Sequence, residues 1–456
     1  VSFESTQLHP DLLRGINALG FEKPTPIQTQ AIPPAMAGRD LLACAQTGSG
    51  KTAAFLLPIL HQIMDQPRGT TRALVVTPTR ELAAQVAADL QDLARYTPIR
   101  VAAIFGGVKM GPQEKALRRG VDVVVATPGR LLDHLSRPYA NLDRVEHLVL
   151  DEADRMLDMG FLPDIRRILS QLPARRQTLL FSATISRDIA RLAGGLMRDP
   201  VNVELARTGT LAEAVEQSIY PVEQHRKTAL LLDLLKRGEV SDALVFTRTK
   251  RRADRVAKQL SRGGVNAERI HGGRSQGQRT AALSGFKKGR IKVLVATDVA
   301  SRGIDVEALG HVVNYDVPGA PEDYIHRIGR TGRAEATGNA FTFVSLQEEA
   351  DLRNIERVIR RKLPRVRVPG FDHGAVSWGQ KANGNGSTNG NGRPANGNGH
   401  APSSNGGSNG NSRGKNTNGR GRNGNGAANG SSPEGASHSA TKTRNSRLGS
   451  RRGGRR

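Results

Sequence analysis

The chain has 456 residues, more than one ordinary domain holds, and only 37% are hydrophobic and 4% aromatic, so part of it is expected to lack a packed core. It carries 67 Lys and Arg against 42 Asp and Glu, a formal charge of +25, which points to a polyanionic partner, nucleic acid before a membrane surface. A single cysteine, Cys44, excludes an internal disulfide framework, no stretch reaches the roughly 18 apolar residues of a membrane span, and the opening VSFESTQLHP has no secretory-signal pattern, so a cytoplasmic protein without a membrane partner is expected.

Along the chain, short apolar runs alternate with longer amphipathic segments, the pattern of βαβ units around a parallel sheet. Strands are predicted at 41–45, 73–77, 121–126, 147–150 and 178–181, and again at 243–247, 292–296, 311–315 and 340–344. A polar stretch around Gly209 separates the two sets and places an interdomain linker at 206–216. The composition breaks near Gly370. Residues 371–456 are Asn-Gly repeats with Ser and scattered Arg, holding 13 Lys and Arg against 2 acids. Such a segment cannot bury enough surface to offset its ordering entropy, and a disordered basic tail is expected. The remainder divides into a leading segment over 1–30, an α/β domain over 31–205 and a second over 217–368, two similar halves that read as a duplication.

The first predicted strand runs into Ala45-Gln46-Thr47-Gly48-Ser49-Gly50-Lys51-Thr52 and then a helical pattern over 53–60. Gly48 and Gly50 open backbone torsions closed to other residues, so successive N–H groups can face a phosphate at a helix N-terminus. In such a P-loop, Lys51 would reach the β and γ phosphates and the Thr52 hydroxyl would ligate Mg²⁺. An ordinary Gly-rich turn is the plainer alternative, and Cys44 reads as strand core. Asp151-Glu152-Ala153-Asp154 follows the apolar run 148–150, at a strand's carboxyl end, where side chains face a ligand crevice. Asp151 suits a water-mediated hold on Mg²⁺, and Glu152 suits positioning and activating an attacking water.

Residues 151–154 spell Asp-Glu-Ala-Asp, and with the loop upstream the chain resembles the DEAD-box ATP-dependent RNA helicases. The resemblance implies two tandem RecA-like α/β domains with parallel sheets, ATP and Mg²⁺ in the cleft, and RNA gripped through its backbone. Phe21 with Pro24-Thr25-Pro26-Ile27-Gln28 is similar to the family's Q motif, which implies that Gln28 bonds the adenine edge, Phe21 packs on the ring and Thr25 belongs to the same site. Pro78-Thr79-Arg80-Glu81-Leu82-Ala83, Gly106-Gly107 and Thr127-Pro128-Gly129-Arg130 resemble its RNA-contacting motifs, implying Pro78, Thr79, Arg80, Gly107, Thr127 and Arg130. Ser182-Ala183-Thr184 resembles the motif that couples ATP state to strand separation through hydrogen bonds to the Asp-Glu-Ala-Asp segment. In the second half, residues 296–305 resemble a motif that places Thr297 and Arg302 towards RNA and Asp305 towards the ribose. Residues 326–333 resemble the motif that supplies arginine fingers, here Arg330 and Arg333, with His326 in the coupling.

Over 271–276 the chain departs from the family, with Gly273 where many members carry an acid and Arg274 beside it, a change in the RNA grip that resembles the bacterial RhlE-type subgroup. The resemblance implies unwinding of short RNA duplexes or remodelling of RNA–protein complexes. An ATP-gated RNA clamp would use the same residues, and a DNA helicase is disfavoured by Gln28 and the Asp-Glu-Ala-Asp segment. A monomer is expected, with ribosomal or RNA-decay proteins as possible company. The tail reads as a non-specific RNA tether or a solubilising linker.

Overall fold

The computed structural model describes residues 2–45, 48–205, 215–301, 309–331 and 338–376. Seven strands form the first sheet: β1 (Leu41–Cys44), β2 (Ala73–Val76), β3 (Val101–Ile104), β4 (Val123–Ala126), β5 (His147–Leu150), β6 (Gln177–Ser182) and β7 (Val201–Glu204), in the order β3-β4-β2-β5-β6-β1-β7. The second sheet holds β8 (Val215–Pro221), β9 (Ala243–Phe246), β10 (Ala267–Ile270), β11 (Val293–Ala296), β12 (His311–Asn314) and β13 (Gly338–Val344), in the order β10-β11-β9-β12-β13-β8. All pairings between these strands are parallel, so every strand of a sheet ends at the same edge.

The inner strands are apolar at nearly every position because helices cover both faces of each sheet. Ala73 and Val75 of β2 turn into a layer with the helices Pro10–Ala18, Pro26–Met36, Lys51–Ile63 and Arg80–Leu93. Leu74 and Val76 turn the other way, onto Pro128–Leu135, Leu162–Leu169 and Arg187–Leu196. In the second sheet, Ala243 and Val245 pack on Lys227–Lys236 and Lys250–Arg262, while Leu244 and Phe246 pack on Gln276–Lys287. A further cluster joins Ile219, Ala340 and Val344 to the helices Pro321–Ile328 and Glu349–Val358. Side-chain caps start helices just past the strand ends. Thr79 Oγ1 accepts from Leu82 N at 3.3 Å, and Thr249 Oγ1 from Arg252 N at 3.2 Å. Helix N-termini thus crowd the carboxyl edge of each sheet.

The nine predicted strands are all present, but four more exist. These are β3, β7, β8 and β10, the outermost strand on each side of each sheet. β8 opens at Val215, inside the span read as linker, because Val215 is buried in register with Gly338; residues 206–214 lie outside the described residues. The tail expected from 371 begins no earlier than 377. Ile219 N donates to the Pro364 carbonyl at 2.9 Å and Val366 N to the Ile219 carbonyl at 2.8 Å, laying the chain along β8. His373 then holds Pro221 O through Nδ1 at 2.8 Å, its Nε2 accepts from Val368 N at 3.0 Å, and Val376 is buried. Polar composition concealed this strap because its His is satisfied by backbone groups. Among the described residues, no helix is long and apolar enough to cross a membrane.

Candidate active site between the two lobes

Both sheets, with their helices, belong to one compact unit and form its two lobes. A cleft of about 360 Å³ runs from Leu19 and Phe21 past Gly48, Lys51 and Thr52 to Asp151, Glu152 and, from the second lobe, Arg330. The chain leaves β1 through Ala45, buried, and turns at Gly48 and Gly50 into the helix Lys51–Ile63. At Gly50, φ is 89°, and a Cβ would lie 2.6 Å from Gln28 Nε2 and 2.9 Å from Thr25 Oγ1, so only glycine fits. The crowding arises because the helix Pro26–Met36 clasps the loop at its start. Thr25 Oγ1 donates to the Ser49 carbonyl at 2.8 Å, Gln28 Nε2 to the Gly50 carbonyl at 3.0 Å, and Gln28 Oε1 accepts from Thr25 N at 2.9 Å. The Gln28 amide keeps one N–H and one lone pair for a ligand. Phe21 lies 40% exposed on the cleft wall. Gln46 and Thr47 lie outside the described residues.

Below the loop, Lys51, Asp151 and Glu152 are buried, yet Lys51 Nζ, Asp151 Oδ1 and both Glu152 carboxylate oxygens have no hydrogen-bond partner. Buried polar groups without partners are costly, and three of them converging in a cleft mark a ligand position. The two carboxyls are driven apart. Burial pushes Asp151 up to about 6, with Lys51 pulling it down and Glu152 pushing it further up. Burial also pushes Glu152 up, but Arg155, Lys51, Arg330 and His326 together outweigh it and hold Glu152 below the usual carboxylate range. Glu152 also sits at φ 54°, a left-handed conformation rare outside glycine, at the turn that starts the helix Ala153–Asp158. Arg155, missed in the sequence, is buried with Nε 3.5 Å from Glu152 Oε2.

Asp154 links the next motif. Its Oδ2 accepts from Ala183 N and Thr184 N, each at 3.1 Å, and from Thr184 Oγ1 at 3.2 Å, while Ser182 Oγ donates to the Thr184 carbonyl at 2.8 Å. From the second lobe, burial and then Arg155 push His326 down to about 4, so its ring is neutral at pH 7. Arg327 beside it is fixed within its own lobe, bonding Asp298 at 2.6 and 2.8 Å and the Asp316 carbonyl at 2.7 Å. Arg333, Arg302 and Asp305 lie outside the described residues. The cleft therefore offers an N-terminal helix turn and a lysine for a polyphosphate, and the hard oxygens of Asp151 and Thr52 for a cation of the Mg²⁺ kind.

Six of the residues expected on RNA gather on the first lobe. The Arg80 guanidinium lies over Gly106 and Gly107; at Gly107, with φ 81°, a Cβ would stand 2.1 Å from Arg80 Nη1. Arg130 Nη1 donates to the Val108 carbonyl at 3.2 Å, so Arg80, Gly107 and Arg130 form one patch although 50 positions separate the two arginines. Pro78, Thr79 and Thr127 are buried at its base, and Thr297 is likewise buried in the second lobe. At the departure from the family pattern, Gly273 N donates to His271 Nδ1 at 3.2 Å and His271 Nε2 meets Asp254 Oδ1 at 3.1 Å. Sequence reasoning also missed a buried bridge between the lobes. Glu81 accepts from Gln276 Nε2 and from Arg279 Nη2, each at 2.8 Å. Its signal was the spacing of Gln276 and Arg279, one turn apart on a single helix face.

Residues 25–192 match the family model described as DEAD/DEAH box helicase, and residues 226–335 match the helicase conserved C-terminal domain. The chain is 44% identical over 372 residues to the DEAD-box ATP-dependent RNA helicase CshA of Bacillus subtilis, covering 82% of this chain and 75% of that one. It is 45% identical over 370 residues to the ATP-dependent RNA helicase CshA of Listeria monocytogenes, covering 81% and 71%. Among solved structures, S. cerevisiae Dbp5 bound to RNA and ADP BeF3 aligns with a TM-score of 0.74 at 33% identity, over 80% of this chain and 95% of that one. These two bacterial relatives carry the CshA name rather than RhlE.

Proposed function

The chain belongs to the DEAD-box family of ATP-dependent RNA helicases, and from that premise we propose that the cleft between its lobes is an ATP-driven clamp on RNA. Its activity is RNA-dependent ATP hydrolysis coupled to local unwinding of short RNA duplexes or remodelling of RNA–protein complexes. The observation that carries the clamp is Glu152, buried 3.5 Å from Arg155 and in one cleft with Lys51 of its own lobe and Arg330 of the other, cations that together hold it ionised. An intact cluster requires closed lobes.

In this reading the loop over 45–52, with Lys51 and Thr52, cradles the triphosphate, and Phe21, Thr25 and Gln28 hold the base end. Asp151 and Thr52 would hold Mg²⁺, which would supply charge neutralisation at the phosphates. Glu152 orients the attacking water, and Arg330 with Arg333 stabilises charge on the γ-phosphoryl group, an effect worth about 10³–10⁵ in rate in related systems. Asp305 meets the ribose. Arg80, Gly107 and Arg130, with Pro78, Thr79 and Thr127, grip one strand on the first lobe, and Thr297 with Arg302 grips it on the second. Such contacts go to phosphate and sugar and carry little sequence information. Asp154, bonded to Ala183 and Thr184, passes the nucleotide state towards that grip, with Ser182 and His326 in the same path. The leading segment 1–30, the two domains and their linker act as one such clamp. A monomer working in the cytoplasm, in company with ribosomal or RNA-decay proteins, completes the proposal.

Its test is ATP hydrolysis by the purified chain alone, with single-stranded RNA, and with DNA of matching sequence. Stimulation by RNA only is expected. Equal rates in all three would refute the coupling of cleft to RNA.

A further inference from the structure

Positive charge is unevenly spread over the folded chain. Residues 250–292 hold thirteen Lys and Arg against two acids, a net of +11, whereas all of residues 1–370 carry +14, the chain's +25 less the +11 of residues 371–456. The concentration falls on the helix Lys250–Arg262, on β10, and on the helix Gln276–Lys287 with its turn into β11.

Ala253, Val256, Ala257 and Leu260 bury one side of Lys250–Arg262 against the sheet. The opposite side carries Arg251, Arg255, Lys258 and Arg262, spaced as i, i+4, i+7 and i+11, which is one stripe about 16 Å long. All four are exposed, and none pairs with an acid among the described residues. The helix has one acid, Asp254, and it is occupied by Arg269 Nε and His271 Nε2, both at 3.1 Å. Like charges a turn apart repel, so a helix with a packing role alone gains nothing from this pattern. At its far end the stripe meets more cations. Arg262 leads through two glycines to Asn266, whose carbonyl accepts from Lys292 N at 2.9 Å and whose side chain donates to the Arg290 carbonyl. Lys287, Lys288, Arg290 and Lys292 are exposed there, at the amino edge of the sheet, opposite the carboxyl edge that forms the cleft.

We infer that this face is a second surface for RNA backbone, taking the part of the strand or duplex that extends beyond the segment held between the lobes. The inference rests on RNA being the partner, as the proposed function has it. A repeated anion suits four cations in a row better than a single carboxylate does. The four side chains of the stripe are all cations, no aromatic lies among them, and the neighbouring Gln259 is turned to the Thr228 hydroxyl at 3.1 Å, so recognition is through phosphates. The chain's own tail has the same sign of charge and cannot be the occupant. A lipid surface is disfavoured because no apolar side chain lies along the stripe to enter it.

The test compares the full chain with the variant Arg251→Gln, Arg255→Gln, Lys258→Gln and Arg262→Gln, all exposed positions, and with a control in which the exposed Arg119, Arg144, Arg166 and Arg175 of the first lobe become Gln. Binding is measured by fluorescence anisotropy over a salt series, with an RNA just long enough to fill the cleft and with a longer duplex carrying a single-stranded extension. For the longer RNA, the stripe variant is expected to lose on the order of tenfold in affinity at low salt. Its slope of log affinity against log salt should fall by about 3, from about 0.7–0.9 per neutralised contact. The short RNA should bind equally well and stimulate ATP hydrolysis equally in both proteins. Failure of the short RNA to bind the unaltered chain would strike at the helicase reading instead. Unchanged affinity and slope for the long RNA, or an equal loss in the control, would overturn the second surface. Loss of binding to an acidic protein without any loss for RNA would overturn it too.

Discussion

In the proposed clamp, Glu152 is the single residue on which most of the chemistry would turn. Its two oxygens are buried without hydrogen-bond partners, and neighbouring cations hold it ionised. A carboxylate kept below its usual pKa is a modest base, so in that clamp its main work would be to accept a hydrogen bond from the attacking water and aim it, which suffices where the phosphoryl transition state is loose. Glu152→Gln should keep ATP and RNA binding and lower single-turnover hydrolysis by about 10²–10⁴; hydrolysis at the native rate would remove the assignment. His326 gives a pH dependence. An unfolded chain titrates the ring near 6.5 and the closed site near 4, and an open site, relieved of the covering lobe and of Arg155, lies between them. Between those values the open state takes up a proton that the closed state refuses, so stability of closure is full above 6.5 and is lost as pH falls towards 4, by about 3 kcal/mol at most. Energy transfer between dyes on the two lobes, with RNA and a non-hydrolysable nucleotide, should report opening over that window, and His326→Asn should flatten the profile. A variant with the native profile would assign the pH response elsewhere.

Elements that meet across the cleft obey another logic. Glu81 and Arg279 are nearly buried and bonded at 2.8 Å, with Gln276 on the other carboxylate oxygen. Removing one partner leaves a buried charge alone, a loss of about 3–5 kcal/mol. Because the bridge exists only between lobes, Arg279→Ala should raise the RNA concentration for half-maximal ATP hydrolysis at least tenfold and leave each lobe's thermal stability alone. Glu81→Gln combined with Arg279→Ala should cost no more than the worse single change; additive losses would mean that the residues act apart. The sequence did not reveal this bridge because a Glu in a helix's first turn reads equally well as a dipole partner. The unpredicted strands have a related cause. β2 and β4 are apolar throughout since both faces are covered, whereas β7 is Val-Asn-Val-Glu and β10 is Ala-Glu-Arg-Ile, edge strands half in solvent. β8 even buries Gln217, whose Oε1 accepts from the Tyr324 hydroxyl at 2.9 Å, a polar satisfaction that only the fold reveals. By contrast, the loop and the carboxylates could be read from residue chemistry at strand ends, whereas Arg330, just past the helix Pro321–Ile328, was read from the resemblance.

At the scale of the whole molecule, the boundary between folded lobe and basic tail can be tested by where the chain is cut. Composition puts that boundary at Gly370, yet residues 371–376 close the second lobe: Asp372 pairs with Arg226 at 2.6 Å, Ala375 N donates to Glu223 Oε1 at 2.9 Å, and His373 bridges Pro221 and Val368. A chain ending at Gly370 uncovers Pro221 O and the pocket of Val376, and each buried backbone group left without a partner costs about 1–3 kcal/mol. A chain ending at Val376 loses none of this. It loses all 13 Lys and Arg of residues 371–456, since each lies beyond 376. The shorter chain should therefore melt several degrees lower, while the longer one should melt as the full chain does and show only weaker RNA binding with a flatter salt dependence. With RNA saturating, its ATP hydrolysis should be unchanged, because every cleft residue remains. Equal melting of the two truncations would show that the strap adds nothing to the lobe. Native RNA affinity at low salt in the chain ending at Val376 would make the tail a solubilising segment rather than a tether that raises the local concentration of RNA.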